Sequence, residues 1–240
     1  MFIFAHLFVG CTIAFLLSRW FRDKRLLIVA AIAAILPDIL DKPVGHILLA
    51  GSLNNGRIFF HGLLGIATIL IIVILIWRIR ILWIIPAVIA GLLSHQLLDA
   101  MWEEPVTWYF PLFGPFQPAL NPDYFMSRLL AEITNPSEWL LFFSCILLVS
   151  SWFAAWPGTG VPVPRIPYFG TISGIVAGVF LAGGIYSLAT GLAGSGNILT
   201  RFSSPVDNLI MAALLLWGGI IFLELQAGHL LPQQNEKGPL

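Results

Sequence analysis

Charged residues are scarce in this chain of 240 residues: Lys, Arg, Asp and Glu together make up only 10% of it. Soluble domains carry about 25% charged residues. The hydrophobic share is 58% and the mean hydropathy is +0.91, which is more apolar surface than one water-facing core can bury. The composition therefore excludes an ordinary soluble domain and predicts an integral membrane protein whose partners are membrane lipids.

An excess of either charge is also lacking, because twelve basic and twelve acidic residues give a formal net charge of zero. Without a basic patch we expect no nucleic-acid partner. Cysteine is rare as well. Cys11 and Cys145 both lie in apolar segments, and we interpret them as small packed hydrophobic residues.

Long apolar stretches predict an all-α, polytopic membrane bundle of about seven transmembrane helices. Most of them are long enough to cross a hydrocarbon layer of about 30 Å at roughly 1.5 Å per residue. The second is short and ends in "LPDILDKP", so an incomplete crossing stays open for it. The predicted spans are 2–18, 26–41, 59–77, 81–98, 138–156, 168–190 and 206–226.

The distribution of basic residues predicts the orientation. None precedes the first apolar run and four follow it, which is the opposite of a cleaved signal peptide and indicates a retained helix. If all seven spans cross, eight Lys and Arg residues lie on the side of residues 19–25 and four on the other side. The positive-inside rule then predicts an N-terminus outside and a C-terminus in the cytoplasm.

The chain is expected to have two parts. Residues 1–137 would form a membrane domain of four helices that carries the polar motifs, and residues 138–240 a C-terminal part of three helices. The connection 99–137 is rich in proline and aromatic residues, which favour the membrane interface. We expect it to cap the outer side, with 105–118 as an amphipathic lid over a site.

Six polar residues stand at or near membrane depth, where an aspartate at a helix centre costs about 2.5–3.5 kcal/mol. They are His6, Asp38, Asp41, His61, His95 and Asp99. In the predicted topology all six fall toward the outer ends of the first four spans, although the charge count did not use them. This agreement indicates one shared site. His46 and His229 have no partner at a useful spacing and are interpreted as interface residues.

The spacing of these residues suits a metal ion. His95 and Asp99 are four residues apart, which on a helix places their Cβ atoms about 5–6 Å apart on one face. Arg57 and His61 have the same spacing, and the two aspartates of the second span are three apart. Imidazole and carboxylate together suit zinc or a similar divalent ion.

Each motif also has a plainer interpretation, and these stay open. His95 and Asp99 could be a hydrogen-bonded pair at a helix end. Asp38 and Asp41 could cap and turn the chain between prolines. Arg57 could anchor a lipid headgroup, and the histidine of the first span could be an interfacial residue. Taken together, these motifs favour a shared metal site more strongly than any one of them does alone.

A resemblance adds to this interpretation. The stretches "FAHLFVG", "ILPDILD", "NGRIFFHGLLG" and "GLLSHQLLDAMWEEPVTWYFPLFGP" resemble the YdjM-like family of bacterial inner-membrane proteins over about residues 1–118. Residues 138–240 add nothing to the likeness. The resemblance implies a metal-dependent hydrolase embedded in the bacterial cytoplasmic membrane.

More distantly, the order of these motifs is similar to the first half of the zinc-dependent phospholipase C and single-strand nuclease superfamily. That likeness implies that His61, His95 and Asp99 hold one ion, and that His6 with Asp99 holds a second. It also implies that Asp38 is the base that activates water.

We therefore expect a hydrolase of lipid-like phosphoesters or esters at the outer face, with one or two zinc ions. Asp38 and Arg57 would act on the substrate, and Asp41 would support the ligands.

The alternative is a non-enzymatic metal-binding membrane protein, either a transporter or a scaffold. A transporter needs ionisable residues that lead to the other face, and the cytoplasmic halves of the first four spans are nearly uncharged, which favours the hydrolase. The H-E-x-x-H motif of a metalloprotease is absent.

Overall fold

The computed structural model describes residues 3–23, 25–77, 84–119, 123–155 and 168–227, and regular secondary structure within these ranges is entirely helical. The predicted all-α class is thereby confirmed for them. The elements in chain order are α1 (Ile3–Phe21), α2 (Arg25–Pro43), a π-helical turn (Val44–Leu48), α3 (Leu63–Trp77), α4 (Ile85–Leu98), a 3-10 turn (Met101–Glu103), α5 (Pro105–Trp108), α6 (Tyr124–Ile133), α7 (Pro136–Ala155), α8 (Phe169–Ala193) and α9 (Pro205–Gln226).

Among the described helices, α1, α8 and α9 are each long and apolar enough to cross a membrane. The pair Phe125–Ile133 and Pro136–Trp152, bent by 62°, raises the number of candidate spans to four. The predicted seven crossings are not confirmed. Helix α4 has 14 residues, which rise roughly 21 Å and fall short of a layer of about 30 Å.

Helices α2 and α3 depart from ordinary membrane spans for two different reasons. Helix α2 carries Asp38, Asp41 and Lys42 in its last turns. Helix α3 begins at Leu63 rather than at the predicted residue 59. The chain just before it is not helical because its backbone N–H groups bond to Asp41 instead. The orientation of the chain in the membrane stays a prediction.

The chain divides into two compact units. One comprises Met1–Phe142 with Leu199–Arg201, and the other comprises Phe143–Ile198 with Phe202–Leu240. In the second unit α8 packs against α9, with the rings of Phe180 and Phe222 edge to face at 5.7 Å. Cys11 and Cys145 are buried free thiols, as expected.

Helices α1, α2 and α4 pack closely in the first unit because small residues line their contacts. A Cβ atom added to Gly10 would lie 2.6 Å from the Cβ of Ala34. One added to Gly91 would lie 2.7 Å from the carbonyl oxygen of Ala30 and 2.7 Å from the Cβ of Ala33. Such small residues let helix backbones approach in an apolar setting. This approach brings the beginning of α1 to the ends of α2 and α4.

The non-helical segment between the π-helical turn and α3 returns the chain to the end of α2. Asn54 within it adopts φ = 42°, a left-handed conformation that asparagine tolerates. The later connection packs along this segment, because the Ala119 N–H donates to the Leu53 carbonyl at 2.8 Å and the Asn55 side chain to the Gln117 carbonyl at 2.9 Å.

Candidate metal site

Four buried side chains from separate parts of the first unit converge on one point. Asp38 comes from α2, His61 from the segment before α3, and His95 and Asp99 from the end of α4. One ligand atom from each lies within 4.8 Å of the others, and all four residues are buried. This group can hold a metal ion, as the combination of imidazole and carboxylate predicts.

Asp41 fixes His61. The Nδ1 of His61 lies 2.7 Å from Asp41 Oδ2, and both side chains are fully buried. The same carboxylate accepts backbone N–H groups of Ile58 at 3.1 Å, Phe60 at 2.9 Å and His61 at 3.0 Å. Because a carboxylate accepts hydrogen bonds, the proton of the neutral imidazole belongs on Nδ1. Nε2 therefore presents a lone pair to the cluster.

His95 is held in the same tautomer by another route. Its Nδ1 donates to the carbonyl oxygen of Ala34 in α2 at 2.8 Å, and a carbonyl can only accept. The Nε2 atoms of His95 and His61 then face each other at 3.1 Å. Two lone pairs at that distance repel unless a proton or a metal ion lies between them.

A metal ion fits this arrangement. Two nitrogens that bond one zinc ion at about 2.0–2.1 Å in tetrahedral geometry lie roughly 3.3 Å apart. The separation of 3.1 Å between the two Nε2 atoms is close to this value. Oxygens of both carboxylates complete a set of four donors, which is the usual number for zinc.

His6 lies beside the four-residue group. Its ring stacks on that of His95 with centroids 4.1 Å apart, and its Nε2 lies 3.3 Å from Asp99 Oδ1. The other oxygen of Asp99 faces His61, at 3.5 Å from Nε2. Asp99 thus directs its two oxygens toward different histidines, which is the arrangement that a bridging carboxylate needs.

Two cations hold the carboxylates from the exposed side. Arg57 Nε lies 3.1 Å from Asp99 Oδ2, and Lys42 Nζ lies 2.9 Å from Asp38 Oδ2. Arg57 was predicted to lie at the site. Lys42 was not: it was only one of the four basic residues counted on the outer side. The overlooked signal was the four-residue spacing from Asp38 to Lys42 on one helix face.

The predicted lid packs against the segment that carries Arg57 and His61. The hydroxyl of Thr107 in α5 lies 3.5 Å from the Arg57 carbonyl oxygen. The rings of Phe110 and Phe116 contact that of Phe59, with centroids 6.1 and 5.0 Å away. Leu112 and Phe113 face outward, with 80% and 61% of their surface exposed. Whether this segment acts as a lid stays a prediction.

The remaining histidines are not brought to the cluster by any described contact. His46 lies 3.1 Å through Nδ1 from the Asn54 side-chain oxygen, and His229 lies outside the described residues. Sequence reasoning missed Glu132 and Glu138, which accept the N–H groups of Ile3 at 3.0 Å and Phe4 at 2.8 Å. These carboxylates satisfy donors at the start of α1. They are 129 and 134 residues away, so no local pattern revealed them.

The comparisons with known proteins agree with the motifs. No curated protein and no solved structure matches this chain. The family profile described as YdjM inner membrane protein matches residues 1–158, which include every residue of the cluster and about two thirds of the sequence. The resemblance seen in the motifs is confirmed and extends beyond residue 118. The chain belongs to the YdjM inner membrane protein family.

Proposed function

We propose that this protein is a membrane-embedded, metal-dependent hydrolase that acts on lipid-like phosphoester or ester substrates at the outer face of the membrane. The observation that carries the proposal is the pair of Nε2 atoms of His61 and His95, 3.1 Å apart with their other ring nitrogens committed elsewhere. Zinc is the ion whose usual donors and bond lengths suit this group best.

The residues that would hold the ion are those of the buried group: Asp38, His61, His95 and Asp99. His6 with the second oxygen of Asp99 would hold another ion. A divalent ion in such a site supplies Lewis acidity and makes water a nucleophile at neutral pH.

The residues of the chain would share the remaining work of hydrolysis. Asp38 takes the proton from the attacking water and returns it to the leaving oxygen as the P–O or C–O bond breaks. Arg57 holds an oxygen of the phosphoryl or acyl group with its planar fork. Asp41 keeps His61 in the tautomer that leaves Nε2 available.

Metal analysis of the full-length protein in detergent tests the first part of the proposal. We expect bound zinc in the purified protein, and its loss in His95→Ala and Asp99→Ala. His46→Ala is the matched control for His95→Ala, because His46 is not one of the four grouped residues and its Nδ1 lies 3.1 Å from the Asn54 side-chain oxygen. A wild-type protein that takes up no divalent ion after loading would overturn the proposal.

Turnover of a panel of phospholipids and polyprenyl phosphates tests the second part. Asp38→Asn should keep most of the metal and lose turnover, because it removes the base but leaves the histidines in place. A metal-binding scaffold, the alternative, would lose folding in the ligand variants and hydrolyse nothing in any of them. Full turnover by Asp38→Asn would remove that residue from its assigned role.

A further inference from the structure

The edge of the cluster that reaches the surface is formed by cations. The side chains of Lys42 and Arg57 are 34% and 36% exposed, whereas those of their partners Asp38 and Asp99 are each only 3% exposed. The imidazoles of His61 and His95 are fully buried. A molecule that approaches the buried group along this edge therefore meets an ammonium and a guanidinium.

The stem of Lys42 lies beside the turn that carries Arg57. Gly56 immediately precedes Arg57, and a Cβ added to it would lie 3.2 Å from the Cγ of Lys42 and 2.5 Å from the Nε2 of His46. The stem of Lys42 thus runs past the backbone of the turn that delivers Arg57. An alanine at position 56 would clash first with His46, and the Lys42 stem would have to give by only a few tenths of an ångström.

A bound divalent ion would give the cluster a net positive charge. Asp38, Asp41 and Asp99 carry three negative charges, and Lys42 and Arg57 carry two positive charges. With neutral imidazoles, as metal ligation requires, these side chains sum to about −1. One divalent ion brings the sum to about +1.

The same event would loosen the hold of the carboxylates on the cations. Asp38 Oδ2 and Asp99 Oδ2 are the oxygens that contact Lys42 and Arg57. An oxygen that donates its electrons to a metal ion attracts an ammonium or guanidinium less strongly. Both cations then have donors to offer to an incoming anion, and Arg in particular matches the geometry of phosphate oxygens.

We propose that Lys42 and Arg57 form an anion-binding pair that holds the phosphate group of the substrate once a metal ion is bound. The inference rests on the proposed function and narrows it, since it favours phosphate-bearing substrates over uncharged esters. Lys42 would contact the phosphate directly in this account, a role that the sequence analysis did not assign to it. The phosphate is either that of a lipid headgroup or free inorganic phosphate.

The test uses the full chain in neutral maltoside micelles, loaded with Mn²⁺, whose paramagnetism broadens the phosphorus NMR signal of a nearby phosphate. Inorganic phosphate and a short-chain phosphatidic acid are titrated separately. We expect the loaded wild type to broaden the phosphorus signal more than the same amount of Mn²⁺ in protein-free micelles does. Tighter binding of the phosphatidic acid would identify a lipid headgroup as the source, and equal binding would identify the phosphate alone.

The variants are Lys42→Gln and Arg57→Gln, and each should weaken phosphate binding about tenfold, the effect of losing one partly exposed charge-assisted hydrogen bond. Mn²⁺ affinity should not fall in Lys42→Gln, because the Lys42 ammonium, which competes with the metal ion for the Asp38 carboxylate, has been removed. Arg25→Gln is the matched control, since Arg25 is paired with Asp23 at 3.0 Å at the other end of α2. Lys42→Arg should retain phosphate binding.

The outcomes separate the two levels of the proposal. Mn²⁺ uptake with wild-type phosphate affinity in both Gln variants would overturn the anion-binding pair and leave the metal site standing. Failure of the wild type to bind either Mn²⁺ or zinc would overturn the proposed function itself. If Lys42→Gln does not fold, Arg57→Gln decides alone, and unchanged phosphate affinity in that variant would count against the pair.

Discussion

The imidazole of His61 and the carboxylate of Asp41 form a fully buried pair with Nδ1 and Oδ2 2.7 Å apart. Asp41 belongs to α2, and His61 lies in the segment that leads to α3. Because the same carboxylate accepts three backbone N–H groups of that segment, it fixes both the path of the chain and the tautomer of the ring. Carboxylates that orient metal-binding histidines in this way affect metal affinity without touching the ion.

We predict that Asp41→Asn lowers zinc affinity about 10–100-fold. An amide whose oxygen takes the place of Oδ2 directs its NH2 group at the Phe60 N–H, which lies 3.1 Å from Oδ1. An amide turned the other way directs its NH2 group at the donors that Oδ2 accepts, so either orientation weakens the hold on His61. Competition with a chromophoric chelator measures the affinity. Asp23→Asn removes an aspartate paired with Arg25 at the opposite end of α2 and is the control. Wild-type affinity in Asp41→Asn would show that the pair does not orient a ligand.

Packing between α2 and α4 should control the site from a distance. Gly91 is one helical turn before His95, and an alanine there would place its Cβ 2.7 Å from the backbone oxygen of Ala30. We expect Gly91→Ala to push α4 away, to destabilise the protein by about 1–3 kcal/mol and to weaken zinc binding. Thermal unfolding and chelator competition measure the two effects.

The matched control for Gly91→Ala is Gly178→Ala in α8, where an added Cβ meets nothing within 4 Å. It should leave zinc affinity unchanged and should stabilise the helix by about 0.5–1 kcal/mol rather than destabilise the protein. A Gly91→Ala protein with the metal affinity of the wild type would mean that the position of His95 tolerates movement of its helix.

Removal of the metal should lower stability, because an ion that binds only the folded protein favours it by mass action. At free zinc about 100-fold above the dissociation constant, the expected gain in the free energy of unfolding is about 2.7 kcal/mol. Thermal unfolding with zinc and with chelator should show this gain in the wild type and in His46→Ala. The same comparison should show none in His95→Ala, and a similar gain there would place the ion elsewhere.

The convergence of the polar residues on one site could be predicted from the short intervals between them and from their positions in the predicted spans. The interval from His95 to Asp99 and the placement of His6, Asp38 and His61 near one end of their predicted spans both follow from helix geometry. The sequence could not distinguish a ligand from its support. Asp41 turns to the Nδ1 of a histidine twenty residues away, and only the path of the intervening chain decides that.

The number of crossings was harder to predict because hydropathy measures apolar content and not helix continuity. The stretch 59–77 reads as a single apolar span, yet its first residues bond to Asp41 and the helix begins at Leu63. Contacts between residues far apart in the sequence could not be predicted at all from local sequence patterns. Glu138 accepts an N–H at the start of α1 from 134 residues away, a distance over which no periodicity carries information.

The side of the membrane that the site faces decides which substrates can reach the site. The excess of basic residues near 19–25 predicts that the connection 99–137 lies outside. Leu112 is 80% exposed in that connection, and Trp20 is 85% exposed at the end of α1. A membrane-impermeant maleimide should therefore label Leu112→Cys in spheroplasts and Trp20→Cys only in inverted vesicles. The native Cys11 and Cys145 are each only 4% exposed, so the parent protein should stay unlabelled in both preparations. The reverse pattern would turn the cluster toward the cytoplasm, and its substrate would then have to be a lipid of the inner leaflet or a soluble phosphate.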